Sequence, residues 1–203
     1  AQMGSVEGFI NLPKILRMTL GLEPTLYSGA ELEAIESYDS LWSAMEDAME
    51  IVADHAHTNS LARDKQAAED PGGNLCASLV VNDCIENTLG YTQGGARYNH
   101  CNWDIIGLAN LADSMTTIQR LVFEEKELTL PQLVSILESD WEGHEVMRSL
   151  AVNRHSHFGN DEEGIDDTAS RIIEVFSGIM KRRTPFRGGE YILGRSEERR
   201  VGK

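Results

Sequence analysis

Basic side chains, cysteines and long apolar runs are all scarce in this 203-residue sequence, and each shortage closes off a class of function. Eighteen Lys and Arg stand against 33 Asp and Glu, a formal charge of -15 with a pI near 4.7. A surface that tracks phosphates needs a basic excess, so no nucleic-acid partner is expected. No apolar run exceeds five residues, against the roughly 20 that span a bilayer, and the N-terminal segment lacks the charged and apolar regions of a signal peptide. Neither membrane association nor export is expected. Three cysteines, Cys76, Cys84 and Cys101, are an odd count, which predicts reduced thiols and a cytoplasmic compartment rather than a disulfide framework. The length suits one domain or two small ones.

Both ends are unusual. The first residue is Ala1, and a structured-looking segment follows without the polar lead-in common at a natural terminus, which reads as a truncated start. Residues Arg195 to Lys203 (RSEERRVGK) hold four basic and two acidic residues, leaving 14 and 31 over positions 1–194, a charge of -17. The codons AGATCGGAAGAGCGTCGTGTAGGGAAA would encode this nonapeptide, and that string resembles a widely used short-read sequencing adapter. Gly194 is therefore expected to be the last genuine residue, with 195–203 a translated adapter.

Between the ends the hydrophobic spacing is mostly helical. Leu41, Met45, Ala48, Val52 and Ala56 recur at 3–4 residues and predict a long helix near 40–65, with Ser37 or Ser40 as cap. Asp70-Pro71-Gly72-Gly73 breaks it, and Leu75, Leu79, Val80 and Ile85 predict a second amphipathic segment ended by Gly90. Leu111, Met115, Ile118 and Val122 mark another. Thr129 and Gln132 form a capping box before Leu133, Ile136 and Leu137, with Pro131 in the first turn. Ile165, Ala169, Ile172, Phe176 and Ile179 or Met180 predict the last helix, its start favoured by Asp166 and Asp167. Tyr91–Tyr98 has two adjacent glycines and no helical period, so it reads as a loop or a closely approached strand. Tyr91–Asn99, Ile105–Ala109 and Tyr191–Leu193 are the strand candidates. No internal repeat is visible.

Several residues invite a chemical reading. His55 and His57 are two apart, which on a helix turns them to roughly opposite faces at about 100° per residue, so a shared metal ion is disfavoured. His155 and His157 would share a face if extended, but no further ligand follows closely. His100-Cys101 has the residue types of a nucleophile and its base, yet such pairs are defined by side-chain geometry that adjacency does not supply. Asp83-Cys84-Ile85-Glu86 places a thiol two residues before a carboxylate. In the predicted helix Cys84 and Glu86 diverge, and Val80, Val81 and Ile85 around Cys84 favour a small buried hydrophobe.

The order of short motifs says more than any one of them. Gly8-Phe9-Ile10-Asn11-Leu12-Pro13-Lys14-Ile15-Leu16, Asn82-Asp83-Cys84-Ile85-Glu86, Thr92-Gln93-Gly94-Gly95-Ala96-Arg97-Tyr98-Asn99 and Gly107-Leu108-Ala109-Asn110-Leu111-Ala112-Asp113-Ser114-Met115 are followed by Leu121-Val122-Phe123-Glu124-Glu125-Lys126, by Phe158-Gly159-Asn160-Asp161 with Asp166-Asp167, and by Arg187-Gly188-Gly189-Glu190-Tyr191. In this order they resemble the glycyl radical enzymes of the pyruvate formate-lyase-like family, in the dehydratase and lyase branch that includes glycerol dehydratase and choline trimethylamine-lyase. The resemblance spans about residues 5–194.

The resemblance implies an α/β, helix-rich fragment of that family's ten-stranded α/β barrel, with 1–194 an internal part of the barrel domain. It implies radical C–O or C–N cleavage, a dehydration or elimination, on a small hydroxylated or amino-alcohol substrate, in anaerobic metabolism. The glycyl radical would be installed by an activating enzyme that uses S-adenosylmethionine and an iron–sulfur cluster, and the full-length parent would be a homodimer. The family's catalytic Cys-x-Glu loop is expected upstream of Gly8 and its radical loop, Arg-Val-x-Gly-Tyr or similar, downstream of Gly194. No catalytic residue, metal ligand or bound cofactor is therefore assigned to this chain, which alone would be inactive. Cys84 and Glu86 match a family position distinct from the catalytic pair. Gly94-Gly95 would admit neighbouring backbone, Asp113 would meet the free N–H groups at a helix start, and Asn160 and Asp161 would form a turn. Arg97, Tyr98 and Asn99 are the candidate substrate contacts. A fragment of this kind is expected to leave faces such as Leu41/Met45/Val52 and Ile172/Phe176 partly uncovered. The alternatives are an acyl-transferring formate acetyltransferase-like member, a helical interaction module without chemistry, and a metal-dependent hydrolase built on the histidines.

Overall fold

The computed structural model describes residues 3–23, 32–70, 74–154, 157–160 and 163–196. Among these residues three strands and seven α-helices follow in the order β1 (Met3–Asn11), α1 (Leu12–Thr19), α2 (Tyr38–Glu69), α3 (Leu75–Val80), β2 (Asn99–Ile106), α4 (Leu108–Ile118), α5 (Leu130–Glu138), α6 (Glu145–Asn153), α7 (Glu163–Lys181) and β3 (Tyr191–Ser196). The chain divides into two compact units. Unit 1 comprises residues 1–10, 52–106 and 177–196, and unit 2 comprises 11–51 and 107–176.

Unit 1 holds the sheet, in the order β1-β2-β3. β2 and β3 run parallel with Cys101 opposite Tyr191 and Asp104 opposite Gly194. Along β2 burial alternates, with Cys101, Trp103 and Ile105 buried and the residues between them half-buried, as a strand covered on one face requires. The covering element is the second half of α2, whose His57, Ser60 and Asp64 share one helix face. Gly8 lets β1 pass Trp103, since a Cβ there would come within 2.6 Å of the indole.

Unit 2 is helical. Asn11 accepts a hydrogen bond from the Lys14 N–H (3.1 Å) and caps α1, with Pro13 in the first turn. Gly107, at φ +76°, ends the strand before α4, and a side chain there would meet Pro13 within 2.7 Å. α4 runs on through Gln119–Glu124 as a π-helical turn. Ser37 and Ser40 cap α2 reciprocally, each hydroxyl accepting from the other's N–H at 3.1 and 3.0 Å. Leu12, Ile15, Leu41, Met45, Leu111, Met115, Leu121, Ile172 and Phe176 form its buried interior. Tyr38 meets Trp42 edge-on, and the Arg171 guanidinium lies 4.1 Å over the Trp42 ring.

The helix foreseen near 40–65 is present and longer, and the capping box at Thr129 and Gln132 forms as expected. Leu41, Met45, Ile172 and Phe176 are fully buried, not partly uncovered, and Val52 is half-buried. Among the described residues the exposed apolar side chains lie elsewhere, among them Phe9, Val146 and, close together in sequence, Leu75, Leu79, Val80 and Ile85, the last four 60–70% exposed. The second amphipathic segment is only six residues long. Val81 turns extended (φ -88°, ψ 129°), Asp83 and Thr88 take positive φ, and the chain folds so that Val81, Cys84 and Ala96 pack with Tyr91. Cys84 is thus buried as expected, but in a turn and not on a helix. Tyr91–Tyr98 opens with a short 3-10 turn, Tyr91–Gln93, and continues as a loop, with β2 starting only at Asn99, and Ile105–Ala109 is split between β2 and α4. Asp113 lies within α4 instead of at its start. There its carboxylate accepts the Phe158 N–H (2.7 Å) and faces His157 Nδ1 (3.2 Å). Asn160 lies in a turn with its N–H on the His157 carbonyl (3.3 Å), while Asp161 and His155 lie outside the described residues.

Candidate functional site

The densest group of buried charge lies in unit 1 between the sheet and α2. Arg187, in the segment leading into β3, donates to Glu7 Oε1 of β1 (3.0 Å), to Asp64 Oδ2 of α2 (3.3 Å) and to Cys101 Sγ of β2 (3.2 Å). Arg63 pairs with the other oxygen of Glu7 and donates to its carbonyl (2.8 Å). Two arginines and two carboxylates balance in charge, and buried ions persist only when paired and hydrogen-bonded in this way. Ligand atoms of Glu7, Asp64 and Cys101 lie within 4.8 Å of one another, the spacing of a metal site. Arg187 already supplies the cation those atoms need, and a metal ion would have to displace a buried guanidinium. The cluster is a clamp that joins all three strands' environs to α2.

Next to it, the Tyr191 hydroxyl lies 3.0 Å from His57 Nδ1. Burial pushes the phenol up to about 12 and, with the Arg183 charge, holds the His57 imidazole below its ordinary value. A neutral imidazole accepting at Nδ1 and a phenol donating to it is the arrangement both shifts favour. His57 is committed to Tyr191 and His55 is exposed, so the two form no metal pair.

Neither buried thiol is set up as a nucleophile. Burial pushes Cys101 up in spite of Arg187, and burial with the charges of Asp83 and Glu86 pushes Cys84 up, whereas reactive thiols are those held low. His100 and Cys101 face opposite sides of β2. His100 instead stacks on Tyr98, with planes 14° apart.

Two of the sequence motifs meet at the clamp through their glycines. Gly94, at φ +89°, passes the Arg187 carbonyl, which a Cβ would approach to 2.9 Å, while Gly95 lies so close to the Leu89 carbonyl that a Cβ would collide with it. Asn99 Nδ2 donates to the carbonyls of Gly94 (3.1 Å) and Ala96 (2.9 Å). Arg97 forms a bidentate, exposed pair with Asp83 (2.6 and 2.8 Å). Of the three candidate contacts, Tyr98 alone presents a side chain not engaged in a hydrogen bond, 47% exposed. Glu7, Asp64, Arg187 and Tyr191 were not singled out as a site from the sequence. The available signal was the polar face His57, Ser60, Asp64 on a helix whose neighbouring positions Ala53 and Ala56 are small and apolar.

The sequence matches the pyruvate formate lyase-like family over residues 1–196, and the chain belongs to that family. It is 29% identical to trans-4-hydroxy-L-proline dehydratase of Clostridioides difficile over 91% of this chain and 24% of that protein. It is likewise 29% identical to (2S)-3-sulfopropanediol dehydratase of Klebsiella oxytoca, over 92% of this chain and 23% of that protein. The B12-independent glycerol dehydratase of Clostridium butyricum, solved with glycerol bound, superposes with a TM-score of 0.86 at 26% identity, over 94% of this chain and 25% of that one. The chain therefore spans about a quarter of the length of the relatives it matches. The helix-rich α/β architecture agrees with these structures.

Proposed function

We propose that this chain is the barrel-forming middle of a glycyl radical enzyme that eliminates water or an amine from a small hydroxylated or amino-alcohol substrate. The observation that carries the reading is the agreement of fold over nearly the whole chain with a glycerol dehydratase, together with the family match over residues 1–196. In this reading β1, β2 and β3 belong to a ten-stranded barrel, the parent is a cytoplasmic homodimer, and an iron–sulfur, S-adenosylmethionine-dependent activating enzyme installs the radical. Three free thiols suit a reducing compartment.

Such a radical supplies, by way of a cysteine thiyl, the abstraction of a hydrogen atom from the substrate. The cysteines of this chain do not fit that role: Cys84 and Cys101 are buried among packing and clamp residues, and Cys76 lies exposed on α3 with no Cys-x-Glu pattern. What this chain contributes is position. The Arg187 clamp fixes the register of β1 and β3 against α2, and Tyr98 on the loop before β2 is the proposed substrate contact, with Arg97 and Asn99 holding that loop. Residues 195–203 are proposed to be foreign. Backbone pairing of 195 and 196 with Ile105 and Ile106 uses atoms common to any residue and does not depend on their identity.

The complete reading frame tests the proposal. Cys-x-Glu within a few tens of residues before Gly8 and Arg-Val-x-Gly-Tyr or a close variant after Gly194 are expected, and the anaerobically activated enzyme should show the glycyl radical by electron paramagnetic resonance. An intact gene with neither element would overturn it. Cys84→Ala in that enzyme should leave the radical and turnover in place, since Cys84 only fills space.

A further inference from the structure

Two of the sequence motifs, residues 82–86 and 92–99, lie side by side in unit 1. Arg97 joins them through both its backbone and its side chain. Its N–H donates to the Asn82 carbonyl (3.1 Å), and its guanidinium donates to the two carboxylate oxygens of Asp83 (2.6 and 2.8 Å). Around this contact Asn87 Nδ2 donates to the Gly95 carbonyl (3.0 Å), the Gly95 N–H donates to the Gly90 carbonyl (3.0 Å), and Ala96 is buried with Val81 and Cys84. Beyond Tyr98, the Asn99 amide holds the carbonyls of Gly94 and Ala96. Tyr98 therefore stands between two anchored residues, its own side chain 47% exposed and stacked on His100.

Stability does not account for the Asp83 contact. The side chains of Arg97 and Asp83 are 55% and 30% exposed, and an exposed ion pair contributes little because water and salt screen it. Asp83 also takes φ +73°, a left-handed conformation that is unfavourable for residues with a Cβ. What the pair supplies is direction, since a bidentate contact fixes the plane of the guanidinium as well as its distance. The Arg97 hydrogen bonds hold the Asp83 carboxyl below its ordinary range, so the pair stays charged through neutral pH. With its N–H and its guanidinium both on one turn, Arg97 leaves the next residue little freedom. We propose that Asp83 is a positioning residue that, through Arg97, sets the orientation in which Tyr98 meets substrate. This rests on the proposed substrate contact of Tyr98 and adds a residue from a separate motif that does not itself touch substrate.

The test is a double-mutant cycle in the full-length enzyme, activated anaerobically, with glycerol, trans-4-hydroxy-L-proline and choline as probes. Radical content is read by electron paramagnetic resonance. Asp83→Asn keeps the shape and removes the charge. On the probe that is consumed it should raise KM roughly three- to tenfold, as loss of a charge-assisted hydrogen bond does, and change kcat little, with the radical and the melting temperature as in the wild type. Asp83→Glu, which keeps the charge, should stay closer to the wild type. Tyr98→Ala should raise KM as well, and Asp83→Asn should add nothing in that background, because groups that act as one unit are not additive. An equal effect of Asp83→Asn in both backgrounds, or KM within about twofold of the wild type, would overturn the positioning role and leave the enzyme assignment intact. Loss of the radical or a large fall in melting temperature in Asp83→Asn would also overturn it, by assigning Asp83 to the fold. Wild-type kinetics in Tyr98→Ala would overturn the substrate contact and the positioning role together. A wild type without the glycyl radical, or one that carries it and consumes none of the three probes, would instead overturn the functional reading beneath both.

Discussion

Arg187 and Glu7, 180 residues apart in sequence, meet at 3.0 Å with side chains only 5% and 3% exposed. The link closes unit 1 across nearly the whole chain. Removing one partner of a buried, hydrogen-bonded pair leaves the other charged and unsolvated, at a cost of about 3–5 kcal/mol. Arg187→Met is therefore expected to lower stability by that amount in a denaturant titration of the full-length enzyme. Arg63→Met, whose side chain is 52% exposed, should cost about 1 kcal/mol or less. Equal effects would show that the clamp does not centre on Arg187.

The Tyr191–His57 pair predicts a stability window in pH. The Tyr191 phenol, raised to about 12 by burial, favours the protonated form in the fold, so its contribution is complete below the unfolded value near 10 and is lost as pH rises toward about 12. The His57 imidazole, lowered chiefly by burial, favours the neutral form, so its contribution is complete above the unfolded value near 6.5 and is lost as pH falls below it. Both signs follow from proton linkage. Stability measured against pH should be flat between about 6.5 and 10 for this pair and fall on either side. Tyr191→Phe should shrink the alkaline limb, which the buried Tyr38 phenol and the buried thiols share, and remove one late-titrating tyrosinate from the ultraviolet spectrum. An alkaline limb unchanged in that variant would refute the assignment.

How much of this was legible beforehand depends on where each element finds its partner. α2, α5 and α7 announce themselves because their apolar stripes and caps are local features, readable at 3.6-residue spacing. β1 escaped notice because a strand holding Gly8 and the buried Glu7 shows no clean alternation. α6 escaped because it buries none of its residues and so carries no core stripe. The segment after Leu75 looked helical from its apolar spacing, but that spacing faces outward. Its conformation is set instead by distant hydrogen bonds, Arg97 N–H to the Asn82 carbonyl (3.1 Å) and Asn87 Nδ2 to the Gly95 carbonyl (3.0 Å). The motif glycines were readable as close-approach positions, and what approaches them was not. The clamp was invisible for the same reason, since its residues come from four separated segments.

Glycines of two kinds should respond differently to alanine. Gly21 has φ +74° with nothing within 4 Å of a Cβ, whereas at Gly95 a Cβ would collide with the Leu89 carbonyl. Gly21→Ala pays only the left-handed backbone cost of roughly 1–2 kcal/mol. Gly95→Ala has to displace backbone and with it the Asn87 bond to the Gly95 carbonyl, so it should cost more than Gly21→Ala in the same denaturant titration. The reverse order would contradict the packing of this loop.

The exposed apolar side chains predict how the 203-residue chain behaves by itself. Leu75, Leu79, Ile85 and Leu89 are 45–63% exposed and line an open groove of about 240 Å³, with Val80, at 70%, adjoining it in sequence. Contiguous apolar surface beyond a few hundred Å² drives association in water, and burying such side chains is worth about 25 cal/mol per Å². The isolated chain should therefore bind an apolar dye and self-associate as its concentration rises. Leu79→Glu and Val80→Glu place charges at these exposed positions without touching the Val81/Cys84/Ala96 core. Together they should lower dye binding and shift sedimentation toward the monomer. A wild-type chain that stays monomeric and dye-silent at high concentration would show that these side chains do not drive association, and association undiminished by the double substitution would place the sticky surface elsewhere.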